Sequence, residues 1–370
     1  MANNTKICCI FNLAPHYRAP IYKLMDKELQ CDFYFGDDVG TPIKKMNYAD
    51  LTGFKKELKN IYIPNTGFEW QKGAWQLIFK PYTYYIITGT PGSLSNWLLA
   101  LLAILLRKKV YAWTHGMKGN LTPAGKLIAK NFFRLCTKSL LYGDFSKKLM
   151  INEGFKSEQL IPIYNSLDYD CQLEIRKTLV PSTIYKDYFQ NNDPILIYIG
   201  RVQKSKKIDL LVHALFELKH NNKNCNLVIV GEDIDNNDIP ALVKEYNLQE
   251  RVWFFGPCYN EEKIGELLFN SDICVSPGLI GLTAIHALTY GLPVITSDLY
   301  SQHGPEFEAI EPGITGDFFK AGDILDLCKK INNWINLSSK LRERVRLHAY
   351  SMVKSKYNPH YQIKVLKSLI

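Results

Sequence analysis

The sequence predicts an α/β protein with two doubly wound Rossmann-like domains that face an interdomain cleft. Short β-rich runs alternate with helical patterns, and this alternation stops and restarts once along the chain. The 370 residues are enough for two domains of ordinary size. Hydrophobic residues make up 46% of the chain and charged residues 22%, which excludes a disordered chain, a collagen-like fibre and a coiled coil.

The first half contains several strand candidates that end in glycine, proline or a polar turn, with helical patterns between them. These candidates are 5–13, 31–37, 84–90 and 108–116, and the pattern closes with 160–170. Such alternation is typical of a parallel sheet with crossover helices. We therefore expect an N-terminal Rossmann-like domain over residues 1–170.

A polar segment without a clean period follows at 171–192, and we interpret it as a linker with one irregular helix. Strand candidates then resume at 194–200, 226–232, 251–257, 272–278 and 292–298. The clearest helical pattern between them covers 208–220. We expect a second Rossmann-like domain over 193–345. The last residues, 346–370, are expected to form helices that return toward the first domain.

Positive charge is concentrated in one segment of the first half. The chain has a net charge of +9, and residues 107–148 contain ten basic residues and one acidic residue, so they carry the whole excess. Within this segment Lys126, Lys130, Arg134 and Lys138 recur every four residues, which predicts one stripe on a helix. A solvated face is one reading. The other is a docking face for an anionic membrane surface or a lipid pyrophosphate acceptor.

Several classes of protein are disfavoured. The nine cysteines are scattered, with no CxxC pair, which is typical of reduced thiols in a cytosolic protein. The longest apolar run, 97–106, is shorter than the roughly 20 residues that cross a bilayer. No signal peptide, recognisable nucleic-acid module, dinucleotide fingerprint or metal-ligand pattern is visible. We therefore expect a cytoplasmic protein, peripheral at the inner leaflet of the cell membrane, with no metal or cofactor and no nucleic-acid partner.

The first motif with chemical content follows the strand at 194–200. Gly200 ends that strand and lets the backbone approach a ligand. Arg201 and Lys206 come next, and two cations at the end of a strand suit a diphosphate, because Arg offers a forked contact and Lys a point charge. A solvated basic turn is the alternative.

The second motif spans 272–298. A strand runs into Ser-Pro-Gly278, and Gly281, Leu282 and Thr283 then open a helix that carries His286. Small residues before a helix expose free N–H groups, and the helix dipole favours an anion there. An ordinary β–α–β unit without a ligand is the alternative.

Together the two motifs resemble the C-terminal half of the family-four retaining glycosyltransferases, also called glycosyl transferases group 1, which have the GT-B fold. The shared pattern is Gly-Arg with a Lys five residues later, the strand ends VIVGED and FFGP, Ser-Pro before a Gly-Leu helix, and G-x-P-V-I. The resemblance covers 194–320 well. It extends more weakly to FNLAPHYRAPIYKL, AWTHGMKG and IYNSLDYD in the first half.

The resemblance implies that the domain over 1–170 is the acceptor-side domain and that the domain over 193–345 is the nucleotide-sugar-binding domain. It also implies roles for the residues of both motifs. Arg201 and Lys206 would neutralise the diphosphate of the donor, and the N–H groups of Gly281, Leu282 and Thr283 would cradle it. Two segments of the first half also receive roles. His115 would project near the reacting sugar, with a histidine that caps a strand end as the alternative, and Tyr17 and Arg18 would contact acceptor or donor.

One departure from the family pattern is important. The usual pair of glutamates is replaced by Gly278 and His286. His286 can hydrogen-bond a hydroxyl and so replace the second glutamate, which usually holds the ribose. Gly278 has no side chain to replace the first, which normally addresses the sugar. Glu306 and Glu308 are candidates for that contact, with a polar helix start as the alternative.

The resemblance therefore implies a glycosyltransferase that moves a hexose-type sugar from a nucleotide-diphosphate donor to a glycan or lipid-linked glycan in cell-surface polysaccharide synthesis. It implies retention of the anomeric configuration and electrostatic catalysis without a metal. A sugar-nucleotide epimerase on the same fold and a non-catalytic nucleotide-sugar-binding protein are the alternatives.

Overall fold

The computed structural model describes residues 6–41 and 43–370, and the chain divides into two compact units. The first unit comprises the residues up to Asp168 together with Asn358–Ile370, and the second comprises Tyr169–Tyr357. Each unit is an α/β structure built on its own parallel sheet, so the expected α/β class with two Rossmann-like sheets is confirmed.

The first unit contains a sheet of seven parallel strands within its described residues. In sheet order these are β3 (Phe54–Leu58), β2 (Asp32–Gly36), β1 (Ile7–Phe11), β6 (Tyr84–Thr88), β7 (Lys109–Thr114), β8 (Lys138–Leu141) and β9 (Leu160–Pro162). A separate antiparallel pair joins β4 (Asn60–Ile63) to β5 (Phe68–Gln71). Every residue of β1 is buried, as expected for a central parallel strand covered on both faces.

Helices cover the sheet of the first unit. They are α1 (Ala19–Leu29), α2 (Leu94–Leu105), α3 (Pro123–Leu135), α4 (Asp144–Asn152) and α13 (Pro359–Leu369). Helix α13 begins at an Asn358 cap followed by Pro359, and it packs on α1. Its C-terminal carbonyls accept hydrogen bonds from sheet tyrosines, including one from Tyr111 Oη to Leu369 at 2.8 Å. The last helix is thereby part of the first unit.

The second unit, all of whose residues are described, contains a six-stranded parallel sheet. In sheet order its strands are β12 (Val252–Gly256), β11 (Asn226–Val230), β10 (Ile195–Ile199), β13 (Ile273–Ser276), β14 (Val294–Ser297) and β15 (Gly316–Phe319). Its helices are α5 (Tyr169–Thr178), α6 (Ile184–Phe189), α7 (Ile208–His220), α8 (Ile239–Glu245), α9 (Glu261–Asn270), α10 (Thr283–Thr289), α11 (Ile324–Ile335) and α12 (Ser339–Lys356). Helix α7 has the bounds that the sequence predicts.

The segment that we interpreted as a linker, 171–192, is ordered as parts of α5 and α6 in the second unit. Buried Tyr185 on α6 donates a hydrogen bond to the carbonyl of Leu267 at 2.7 Å, which fastens the segment to α9. The sequence hides these helices because their faces are mostly polar. Similarly, α12 runs through residue 346, where we expected a boundary, and the chain passes to the first unit at Asn358.

Candidate active site

The loops after β10 and β13 meet at the topological switch point of the second sheet. From β10 the chain proceeds to β11 and β12 on one side, whereas β13 and the later strands lie on its other side. Ligands of open parallel sheets bind at the carboxyl ends of strands at such a point. Both motifs identified in the sequence lie there.

The turn after β10 positions Arg201 and Lys206. Gly200 has φ of 141°, a backbone conformation that favours glycine. Arg201 is exposed, while Lys206 is half-buried and donates a hydrogen bond from Nζ to the carbonyl of Leu279 at 2.5 Å. Burial and the neighbouring Arg201 lower the pKa of Lys206, and Glu306 acts in the opposite direction. The two cations therefore lie close enough to repel each other, which favours an anion between them.

Gly278 is in close contact with the same turn. Its N–H donates to the carbonyl of Lys206 at 2.9 Å, and the N–H of Leu279 donates to the carbonyl of Ser205 at 3.0 Å. A Cβ at position 278 would lie 2.2 Å from the Ser205 oxygen. Glycine is therefore required at position 278 by this backbone approach.

Three N–H groups at the start of α10 have no acceptor within the described residues. They belong to Gly281, Leu282 and Thr283. The Thr283 hydroxyl donates to the carbonyl of Ile199 at 3.1 Å, which ties the start of α10 to the end of β10. The unpaired amides and the cations of the preceding turn thus belong to one site.

Glu306 reaches the same site from the loop after β14. The residue is 3% exposed, and its Oε2 lies 3.7 Å from the position that a Cβ on Gly281 would occupy. The loop is fixed by Gly304, whose N–H donates to the carbonyl of Ile280 at 2.7 Å. The structure therefore brings Glu306 to the amides of Gly281 and to Lys206.

His286 is engaged by a carboxylate that the sequence analysis did not identify. Its Nε2 lies 2.8 Å from Oε1 of Glu261, the first residue of α9. The same oxygen accepts from Tyr290 Oη at 2.8 Å and from Gln172 Nε2 at 2.9 Å. Burial raises the pKa of Glu261, but the hydrogen bonds and the charge from His286 outweigh it, and the net pKa is lowered. No sequence signal marks this cluster, because its members come from α5, α9 and α10.

The first unit has a cavity of about 400 Å³ at the switch point of its own sheet. Its wall is formed by residues that follow β1, β6 and β7, and it includes Tyr17, Arg18 and His115. The structure therefore brings together all three residues that the sequence analysis singled out in the first half. It adds Lys118 to them, together with Trp113, both of which the sequence analysis missed.

His115 is a neutral imidazole in this cavity. It retains exposed surface while lining the cavity, and its ring centroid lies 4.8 Å from that of Tyr142. The surrounding protein atoms, and then the charges of Arg18 and Lys118, lower the pKa of His115 to about 4. At neutral pH the imidazole can therefore donate one hydrogen bond and accept another.

The predicted basic stripe is shorter than the sequence suggests. Helix α3 ends at Leu135, so Lys138 lies on β8 and not on the helix. Lys126 and Lys130 both approach Glu153, at 3.4 and 3.6 Å, which leaves Arg134 as the exposed member without a carboxylate partner in the described part of the chain. Four-residue spacing does not reveal where a helix stops.

Known proteins resemble the chain in sequence and in fold. The sequence model of the family described as glycosyl transferases group 1 matches residues 184–352. This match lies within the second unit, which is therefore similar to the group 1 glycosyl transferases. The chain is 25% identical over 251 residues to the lipopolysaccharide 1,6-galactosyltransferase of Escherichia coli K12, an alignment that covers 64% of the chain and 62% of that relative.

Other relatives support the same family and fold. The chain is 24% identical over 177 residues to the alpha-D-kanosaminyltransferase of Streptomyces kanamyceticus, covering 46% of the chain and 44% of the relative. The matched part thus spans about half to three-fifths of these curated relatives. The Anabaena protein HepE, solved in complex with UDP, superposes with a TM-score of 0.73 at 15% identity over 99% of both chains. This likeness shows that the chain has the fold of HepE.

Proposed function

We propose that this protein is a group 1 glycosyltransferase that moves a sugar from a nucleotide-diphosphate donor to a glycan or lipid-linked glycan acceptor, with retention of anomeric configuration. The observation that carries the proposal is the site at the β10–β13 switch point. There the cations Arg201 and Lys206 and the unpaired amides that begin at Gly281 lie on loops joined by hydrogen bonds. This combination is complementary to a diphosphate.

The same groups supply the catalytic effect. When the bond between sugar and diphosphate breaks, negative charge accumulates on the leaving diphosphate. Arg201, Lys206 and the amides of Gly281, Leu282 and Thr283 are already oriented, so they stabilise that charge without reorganising. The chemistry then requires no metal ion. His115 is proposed to contact the reacting sugar as a neutral hydrogen-bonding group.

Two carboxylates take over the contacts of the missing glutamates in this proposal. Glu306 lies beside Gly281 and is proposed to address the transferred sugar. Glu261 is proposed to accept a hydrogen bond from a ribose hydroxyl. Three donors bind its Oε1, whereas its Oε2 has no hydrogen-bond partner within the described residues. His286 then acts by positioning Glu261.

The names of the relatives support a place in the synthesis of cell-surface polysaccharide. One relative is named as a lipopolysaccharide galactosyltransferase, and another as a transferase that acts on a diphospho-undecaprenol-linked sugar. HepE was solved in complexes with UDP and with UDP-glucose. We therefore propose a uridine-diphosphate sugar as the first donor to test.

The first unit is proposed to associate with an anionic membrane surface. Helices α2 and α3 pack together and expose apolar side chains, including Leu105 at 77% and Leu127 at 61% exposure. Arg134 and the other basic residues of α3 are on the same pair of helices. Exposed apolar groups beside basic groups favour an anionic interface. No helix in the described part of the chain has the length and apolarity that crossing a bilayer requires.

The experiment begins with a thermal-shift screen of uridine, guanosine and adenosine diphosphates and their sugars, because a ligand of the native state raises the melting temperature. The donor that binds is then incubated with glycan acceptors, and NMR determines the anomeric configuration of the product. Transfer with retention, lost in Arg201→Ala, supports the proposal. Binding without turnover on any acceptor indicates a non-catalytic protein, and an altered sugar without an acceptor indicates an epimerase.

A further inference from the structure

The cavity of the first unit has a positively charged wall. Its lining includes Arg18, His115 and Lys118, and none of its lining residues is Asp or Glu. The volume of about 400 Å³ is in the range of small-molecule sites. A cleft with one sign of charge attracts ligands of the opposite sign.

Two aromatic rings hold the guanidinium of Arg18. It lies 5.0 Å from the ring centroid of Tyr142 and 5.7 Å from that of Trp113, and both of these residues are buried. Within residues 6–41 and 43–370 no carboxylate forms an ion pair with Arg18. A guanidinium over aromatic rings can still direct N–H groups from its edge to a planar or tetrahedral anion.

Lys118 adds a second charge without a carboxylate partner in the described residues. Because His115 is neutral between these two cations, its imidazole is suited to hydrogen-bond a hydroxyl beside the anion. It does not supply a charge to the anion itself. Trp113 is buried in the same wall, and its indole Nε1–H has no acceptor in the described part of the chain. The cavity thus combines two charged donors with neutral hydrogen-bonding groups.

We propose that this cavity binds a phosphate or carboxylate group carried by the acceptor, so that the acceptor is an anionic sugar or sugar phosphate. Arg18 contacts the anion through its guanidinium edge, Lys118 adds a point charge, and His115 contacts a neighbouring hydroxyl. This inference rests on the proposed function, because it assigns the acceptor of that reaction. The diphosphate of the donor has the same chemistry, and the experiment distinguishes the two sources.

The experiment titrates glucose 6-phosphate, glucuronate and glucose into the protein by calorimetry, with and without saturating UDP. UDP fills the diphosphate site of the second unit, so the remaining binding reports on the first. We expect the two anionic sugars to bind and glucose not to bind. Arg18→Gln and Lys118→Gln should each weaken the binding of the anionic sugars about tenfold or more and leave the affinity for UDP unchanged. Lys27→Gln, an exposed cation on α1, is the matched control.

Several outcomes overturn the inference. These are equal binding of glucose, no effect of Arg18→Gln and Lys118→Gln, or no binding of either anionic sugar to the wild-type protein at millimolar concentration. Loss of UDP affinity in Arg18→Gln also overturns it, because the cation then serves the donor. A wild-type protein that binds anionic sugars through Arg18 but binds no sugar nucleotide contradicts the proposed function alone.

Discussion

The imidazole Nε2 of His286 lies 2.8 Å from Oε1 of Glu261, and this contact joins helix α10 to the first residue of helix α9. An ionised carboxylate only accepts hydrogen bonds, so the proton of the pair is on Nε2 of the imidazole. His286 therefore orients a carboxylate from another helix, and this contact keeps a charged group beside helix α10.

This contact predicts how stability depends on pH. The folded state lowers the pKa of Glu261 below its usual 4.5, so the folded protein binds fewer protons than the unfolded protein near that pH. The stabilisation is complete above pH 4.5 and is lost as the pH falls through the folded-state pKa. In urea denaturation, Glu261→Gln should have a lower free energy of unfolding than wild type at neutral pH. This difference in free energy should shrink below about pH 4.5. Glu262→Gln, an exposed neighbour, is the control, and a deficit that is constant with pH would argue against the contact.

Gly278 should not tolerate even a methyl group. A Cβ there lies 2.2 Å from the Ser205 oxygen, so Gly278→Ala must displace the turn that carries Lys206. We expect a loss of roughly 1–3 kcal/mol in the free energy of unfolding, measured by urea denaturation. Gly281→Ala is the matched stability control, because its Cβ meets only Glu306 at an ordinary 3.7 Å. Equal stability of the two variants would contradict the close approach.

The imidazole of His115 should titrate with a midpoint of about 4 in NMR spectra of the folded protein. Because this pKa is lowered from 6.5, the folded state binds fewer protons than the unfolded state between these values, and His115 reduces stability as the pH falls from 6.5 to 4. Arg18→Gln removes one neighbouring charge and should move the midpoint upward. An unchanged midpoint in this variant would mean that Arg18 does not act on His115.

Membrane association should depend on both charge and apolar exposure. Arg134→Glu and Leu105→Ser should each reduce co-sedimentation with vesicles that contain phosphatidylglycerol, because one removes attraction to the anionic surface and the other removes apolar insertion. Lys56→Glu, on the edge strand β3, is the control for net charge. Equal sedimentation with phosphatidylcholine vesicles, or no effect of either variant, would remove the proposal.

The strands that the sequence predicts are those with continuous apolar runs. Strand β10 and strand β11 are buried along their whole length, and their composition alone identifies them. Strand β3 was missed because its residues FKKEL are partly exposed at the sheet edge, and β15 because its residues GDFF begin with Gly and Asp and are only partly buried. Exposure and polar residues remove the patterns on which the prediction depends.

The residues of the candidate site likewise form two groups, those that the local sequence reveals and those that only the folded structure reveals. Arg201, Lys206 and Gly281 follow strands within single motifs, so local spacing finds them. Glu261 reaches His286 from a separate helix, and no sequence interval links the two. The requirement for glycine at 278 arises from a backbone 72 residues away in the chain, at Lys206, and only the folded structure reveals it.

The central claim is that the loops after β10 and β13 bind a diphosphate, and calorimetry with UDP and UMP tests it most directly. UDP should bind the wild-type protein more tightly than UMP. Arg201→Ala and Lys206→Ala should each weaken UDP binding at least about tenfold. Lys204 is another cation in the same turn, and Lys204→Ala should leave UDP binding unchanged. UDP that binds no better than UMP, or that binds both variants as tightly as wild type, would contradict the account.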